Sequence, residues 1–232
     1  MKIVVLKFGG TSVGSIDRIK KVADIIKHYK KKYKVIVLSS AMSGVTNDLV
    51  SKSNQISKNF SDSEYDSLVS AGEQMSCSLI AGQLIEKGQK ARSWLAWQIP
   101  IITKGKHKFA RIQQISKKNI LKYLKIGGIP IIAGFQGINY QNRITTLGRG
   151  GTDASAIMFA KFFNAKKCII YTDVEGVYST DPNKLKSAKK IKEISYEEML
   201  EMASLGAKVM QPHSIQDARL NRIDVEVKSS FK

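Results

Sequence analysis

Four short runs that are almost wholly apolar, starting at Ile3, Val35, Pro130 and Cys168, alternate with longer stretches in which apolar residues recur at helical spacing. A strand with no polar face must be covered on both sides, so this alternation specifies an α/β fold with a largely parallel central sheet. Residues 3–7 form the first strand; Ile16, Ile19, Val22, Ala23, Ile26 and Tyr29 mark a helix, and Val35 to Leu38 give a second buried strand. A polar turn at 39–47 and a Ser- and Lys-rich connection lead to a long helix over 64–87 that stops at Gly88. Further on, the pattern predicts a strand region at 91–103, a helix at 115–125, a strand at 130–135 and a hairpin or excursion at 138–148. A helix to about Asn164, a strand at 168–171, a helix opened by a Ser195/Glu198 capping box, and a strand at 225–228 that closes the sheet complete the order.

At 232 residues, with no internal repeat and no clean linker, the chain is expected to form one domain, residues 1–232, with two lobes around a cleft. The formal charge of +19 favours anionic partners, although runs such as Lys30-Lys31-Lys32 and Lys189-Lys190 read as solvated surface. No face interleaves aromatic and basic residues, so nucleic acid is not an expected partner. The two cysteines, Cys77 and Cys168, lie inside apolar segments and read as reduced core residues of a cytoplasmic protein. No apolar run reaches the roughly 18 residues of a membrane span, and no membrane partner is expected.

The first strand delivers Lys7, Phe8, Gly9 and Gly10 to its carboxyl end, followed by Thr11 and Ser12. Glycines let backbone N–H groups approach an anion closely, and Thr11 or Ser12 could cap a helix whose N-terminus adds partial positive charge. Lys7 supplies a full charge, in a loop that is neither a Walker A sequence nor a dinucleotide fingerprint. Two further strand ends present polar loops, at 39–47 and at Thr172-Asp173, and topology predicts that all three converge on one crevice.

Glu73 lies among Ala71, Gly72, Met75 and Cys77, where a carboxylate is partly desolvated and needs a cation: a substrate ammonium, or a Lys or Arg of the chain itself. Arg149, between two glycines, can reach outward, and its planar fork suits a carboxylate.

Taken in order, Lys7-Phe8-Gly9-Gly10-Thr11-Ser12-Val13, Ser39 to Asn47, Gly72-Glu73-Gln74, Gly134 to Gly137, Gly148 to Asp153 and Thr172 to Pro182 resemble the catalytic domain of aspartate kinases, within the amino-acid kinase superfamily. The resemblance covers the whole chain. It implies a three-layer αβα sandwich whose N-terminal part binds L-aspartate and whose C-terminal part binds ATP with its Mg²⁺. It implies catalytic roles for Lys7, Asp153 and Lys208, and ATP contacts from Lys7, Phe8, Gly9, Gly10, Thr172, Asp173, Tyr178, Asp181, Lys184 and Lys208. Substrate contacts are implied for Ser40, Ala41, Thr46, Glu73, Arg149, Gly150, Gly151 and Thr152, with Glu73 facing the ammonium. No protein metal site is implied, and a homodimer is the implied assembly.

The chain departs from the family's pattern at three positions. Asn183 stands where an Arg usually follows Asp-Pro, leaving Lys184 for that corner, while Thr152 replaces a Ser and Gln211 a frequent His. The regulatory ACT domains that generally follow the catalytic part are not expected within these residues.

The implied reaction passes the γ-phosphoryl of ATP to the aspartate β-carboxylate, giving 4-phospho-L-aspartate, the first step towards lysine (by way of diaminopimelate), threonine and methionine. That carboxylate, with a pKa of about 3.9, is ionised at neutral pH and needs no general base. Three readings remain beside it: another amino-acid kinase acting on glutamate, N-acetylglutamate or a nucleoside monophosphate; a silent sensing subunit; and nucleic-acid binding driven by charge. Glu73 discriminates among the kinases, because a free ammonium calls for an acidic partner and an acetylated amine does not.

Overall fold

A computed structural model of the chain describes residues 2–180, 184–207 and 209–231. Its centre is a six-stranded, all-parallel sheet. The strands are β1 (Ile3–Phe8), β2 (Lys34–Ser39), β3 (Ala91–Trp94), β6 (Ile129–Ala133), β9 (Lys167–Thr172) and β10 (Val225–Ser229), in the spatial order β10-β9-β1-β2-β6-β3. A smaller sheet, ordered β5-β4-β7-β8, contains β4 (Ile101–Lys104), β5 (Arg111–Ile115), β7 (Gln136–Ile138) and β8 (Ile144–Thr146). The predicted strand region at 91–103 is therefore two strands in different sheets.

Two apolar layers cover the main sheet, and strand alternation decides which residue enters which. Val4, Leu6, Phe8, Val35 and Val37 face α1 (Ile16–Lys30) and α4 (Ala71–Glu86), packing on Ile19, Val22, Cys77 and Ile80. Val5, Ile36, Leu38, Cys168 and Ile170 face the opposite layer, where α6 (Gly151–Phe162) contributes Ile157 and Phe159. The structure is thus the expected αβα sandwich. Phe8 also stacks on Tyr171 with centroids 4.9 Å apart, a contact worth about 1 kcal/mol beyond its burial.

Several local expectations change. Neither Thr11 nor Ser12 caps the first helix; Ser15 does, its Oγ accepting from the Arg18 N–H at 3.3 Å. Ser12 is instead buried, donating to the Tyr171 carbonyl at 3.3 Å. The Ser- and Lys-rich connection is largely helical, with α2 (Val45–Ile56) and α3 (Asp62–Val69), and the long helix is divided at Ser70 into α3 and α4. Residues 115–125 yield only α5 (Lys118–Lys125), preceded by β5. The Ser195/Glu198 capping box forms as predicted and opens α7 (Tyr196–Ser204). The helix α8 (Pro212–Asn221), which packs against α6 and α7, has no counterpart in the sequence reading.

Candidate active site

Because the main sheet is wholly parallel, β1, β2, β6 and β9 all end on one side of it, and the loops that follow them become neighbours. Lys7 is two residues beyond Val5 and so points to the same face, towards α6. There its Nζ lies 2.7 Å from Asp153 Oδ1, in the first turn of that helix. Both side chains are about nine-tenths buried, at 10% and 11% exposure. The contact is ionic rather than a directed hydrogen bond, since that carboxylate oxygen has no well-angled donor among the described residues. Cys168 lies beneath the pair; burial first, then the negative charge of Asp153, pushes its thiol up to about 12, which leaves it inert.

The loop after β1 turns tightly around the lysine. A Cβ on Gly9 would lie 3.3 Å from Lys7 Nζ, and one on Gly10 would lie 3.0 Å from the Ala41 carbonyl. The Gly9 N–H is already used, donating to the Tyr171 carbonyl at 3.0 Å, whereas the Gly10 N–H has no partner among the described residues. The Phe8 ring is fully buried on the far face of the sheet, so only its backbone reaches this side.

The loop after β2 meets α4. Gly72 makes this possible, because a Cβ there would stand 2.7 Å from the Ala41 Cβ and push the helix away. In the next position, Glu73 accepts the Ala41 N–H on Oε1 at 3.0 Å, while Oε2 is buried with no partner among the described residues. Burial lifts this carboxyl to about 8 despite the Ala41 bond. Of the two sources of positive charge open to Glu73, no Lys or Arg among the described residues supplies one. Ser76 holds the same loop from the next turn of α4, donating to the Ser40 carbonyl at 2.6 Å and sharing a bond with Ser39 at 2.9 Å. The sequence reading gives Ser39 and Ser76 no part in the site; Ser76 lies one turn after Glu73, the spacing that puts it on the same face.

The third contributor is the loop into α6. Gly150 caps that helix at φ +73°, a left-handed conformation, and a Cβ there would strike the Gln211 side chain. Gly151 and Thr152 follow in the first turn, Thr152 packing over Gly134 at the end of β6. Arg149 is exposed, forms no ion pair with a described residue, and lines a cavity of about 570 Å³ with Ile112, Met158 and Asp217. Thr46 lies in the first turn of α2, behind a left-handed Gly44.

Thr172 and Asp173 lie beside the β1 loop, tied to it through Ser230, which bonds the Thr172 carbonyl and Ser12 Oγ. Tyr178 is farther along, bridged to Lys190, and Lys184 is exposed. Asp181 and Lys208 lie outside the described residues, as does Asn183. The structure therefore gathers Lys7, Gly9, Gly10, Ala41, Glu73 and Asp153 in one place, and no hydrogen bond or ion pair joins Arg149, Tyr178 or Lys184 to them. Among the described residues no group of three or more His, Cys, Asp or Glu is placed to hold a metal, and no helix is long and apolar enough to cross a membrane.

The chain is similar along its whole length to known proteins. An aspartokinase of Rickettsia felis is 50% identical over 235 residues, a match that takes in all of this chain and 59% of that protein. Aspartate kinase from Synechocystis superposes with a TM-score of 0.88 at 39% identity, over 99% of this chain and 38% of that one. Escherichia coli aspartokinase III, solved with aspartate and ADP, gives 0.88 at 31% identity, over 99% of this chain and 62% of that one. The chain thus spans little more than half the length of the curated relatives it matches. A model of the amino acid kinase family matches residues 2–229, and the chain belongs to that family.

Proposed function

We propose that the chain is the catalytic unit of an aspartate kinase, transferring the γ-phosphoryl of ATP to the β-carboxylate of L-aspartate to give 4-phospho-L-aspartate and ADP. The observation that carries the reading is Glu73 Oε2, a buried carboxyl oxygen with no cation beside it among the described residues, at the crevice edge that also holds Lys7. An α-ammonium group supplies both a donor and the positive charge that a buried carboxylate calls for, and that charge is absent from the acceptor end of a nucleoside monophosphate or an acetylated amine. The aspartokinase relatives support the same substrate.

On this reading the N-terminal loops, with Ser40, Ala41, Thr46 and Glu73, hold the amino acid together with Arg149 to Thr152. Thr172, Asp173, Tyr178, Lys184 and the lysine at 208 serve the nucleotide. The acceptor is already an anion, so the difficulty is bringing it onto a triphosphate. Lys7, fixed by Asp153, offers its charge where the transferred oxygens gather negative charge, and the Gly10 N–H, without a partner among the described residues, is a further donor in the same turn. On this reading Mg²⁺ would arrive bound to the nucleotide. That ion supplies neutralisation of the phosphate charge. The half of α4 away from the sheet exposes Met75, Leu79 and Ile85, an apolar surface that supports assembly as a homodimer.

The test is turnover of the purified chain with ATP, Mg²⁺ and L-aspartate, trapping the acyl phosphate as a hydroxamate. Hydroxamate from L-aspartate and none from N-acetyl-L-aspartate is the expected result. ADP release with glutamate or UMP and none with aspartate overturns it.

A further inference from the structure

Asp66, on α3, is fully buried, and its carboxylate is saturated with donors from two distant segments. Oδ1 accepts the Thr146 hydroxyl at 2.6 Å, Oδ2 meets His107 Nδ1 at 2.7 Å, and the Lys108 N–H reaches both oxygens, at 3.2 and 3.1 Å. His107 and Lys108 belong to the turn between β4 and β5, and Thr146 ends β8. Neither segment touches the main sheet through its own strands, which pair within the smaller sheet.

The two sides of this junction lead straight to the candidate site. From Asp66, α3 continues through Ser70 into α4, whose first turn carries Glu73. From Thr146, the chain runs through Leu147 and Gly148 to Arg149. Both paths are short and braced. Gln136 Nε2 donates to the Ser70 carbonyl at 3.1 Å, and Gly148 fits so closely against the turn that a Cβ would lie 3.0 Å from the Lys108 carbonyl. A buried carboxylate is an expensive way to fill space, and an apolar side chain of similar size would cost less. What the carboxylate alone achieves is to draw donors from two segments onto one point.

We propose that Asp66 is a positioning residue that sets the separation between Glu73 and Arg149, and through it the fit of the amino-acid substrate, without touching that substrate. The proposal rests on the reading above, in which Glu73 and Arg149 hold the two ends of L-aspartate. Loss of the clamp therefore moves substrate affinity rather than phosphoryl transfer.

The test uses Thr146→Val, which removes one donor with little change of shape, alongside Thr146→Ser, which retains it, and Asp66→Asn. Steady-state kinetics on the intact chain should show the KM for L-aspartate rising about tenfold in Thr146→Val, the scale of one hydrogen bond to a charged group. The KM for ATP and the kcat at saturating aspartate should stay within about twofold, Thr146→Ser should restore the wild-type value, and Asp66→Asn should exceed Thr146→Val. A purely structural role would instead lower the active fraction, and so kcat, at unchanged KM. Turnover of aspartate by the wild type with an unaltered aspartate KM in Thr146→Val and Asp66→Asn overturns the clamp alone. No turnover of aspartate by the wild type overturns the functional reading, and the clamp falls with it.

Discussion

Lys7 and Asp153, 146 positions apart in the chain, meet with Nζ 2.7 Å from Oδ1 because α6 begins where β1 ends, above the sheet. On the proposed function, Lys7→Ala lowers kcat by about 100- to 1,000-fold, with a smaller change in the aspartate KM. It also strands a buried carboxylate, at a cost of about 3–5 kcal/mol in stability. The double variant Lys7→Ala/Asp153→Asn separates these effects: denaturant melts should recover most of the stability while turnover stays lost. A single variant with wild-type kcat removes Lys7 from the chemistry.

Glu73 makes stability depend on pH with a definite sign. Its carboxyl sits at about 8 in the fold against an ordinary value of 4.5, so between those limits the folded protein keeps a proton that the unfolded chain has released. Stability contributed by the neutral carboxyl is therefore eroded as pH rises from about 5 to about 8. Glu73→Gln, which cannot ionise, should flatten that slope in urea titrations across the range. An identical slope in the variant would place the titration elsewhere.

Substrate binding should show the opposite trend. An ammonium favours the ionised Glu73, so binding below about pH 8 must expel the proton. The dissociation constant for L-aspartate should fall by about tenfold per pH unit up to that point and then level off, as read by calorimetry in buffers of different ionisation enthalpy. A pH-independent constant between 6 and 8 contradicts an ammonium contact at this residue.

The near contact of Gly72 with Ala41 predicts a compensating pair. Gly72→Ala inserts a methyl 2.7 Å from another, which should destabilise the protein by about 1–3 kcal/mol and raise the aspartate KM by moving α4 and Glu73 outward. Adding Ala41→Gly makes room and should recover much of both. If the second change adds to the damage, the helix position is not set at this point.

Far from the crevice, the capping box of α7 offers a control. Ser195→Ala removes the bond to the Glu198 N–H and should cost about 1 kcal/mol, visible in a thermal melt, with kcat and both KM values unchanged.

The central strands were legible because β1, β2, β6 and β9 are apolar on both faces, which only a covered parallel sheet explains. The elements that escaped were those whose sequence carries little contrast. In α2 the buried position is Ser53, so a surface helix reads as a polar connection. In β5 only Ile112 and Ile115 are buried, and β4 shifts register against it between Ile102 and Thr103, which breaks a simple alternation. In α8, Pro212 reads as a breaker, although at the first helical turn it costs nothing. The candidate site divides the same way. Lys7 and Glu73 stand out as charges in apolar or small-residue surroundings, while Asp66, Ser39 and Ser76 acquire meaning only from donors and acceptors brought near by the tertiary fold.

The placement of β1 between β2 and β9 has a bearing on how the molecule is made. On the ribosome, β2 follows β1 quickly, but β9 begins only at Lys167. At roughly 5–20 residues per second, the nascent chain spends on the order of ten seconds with one edge of its first, largely apolar strand unpaired. That bare edge is a template for pairing with other nascent chains, so this strand is the natural place for a chaperone to hold.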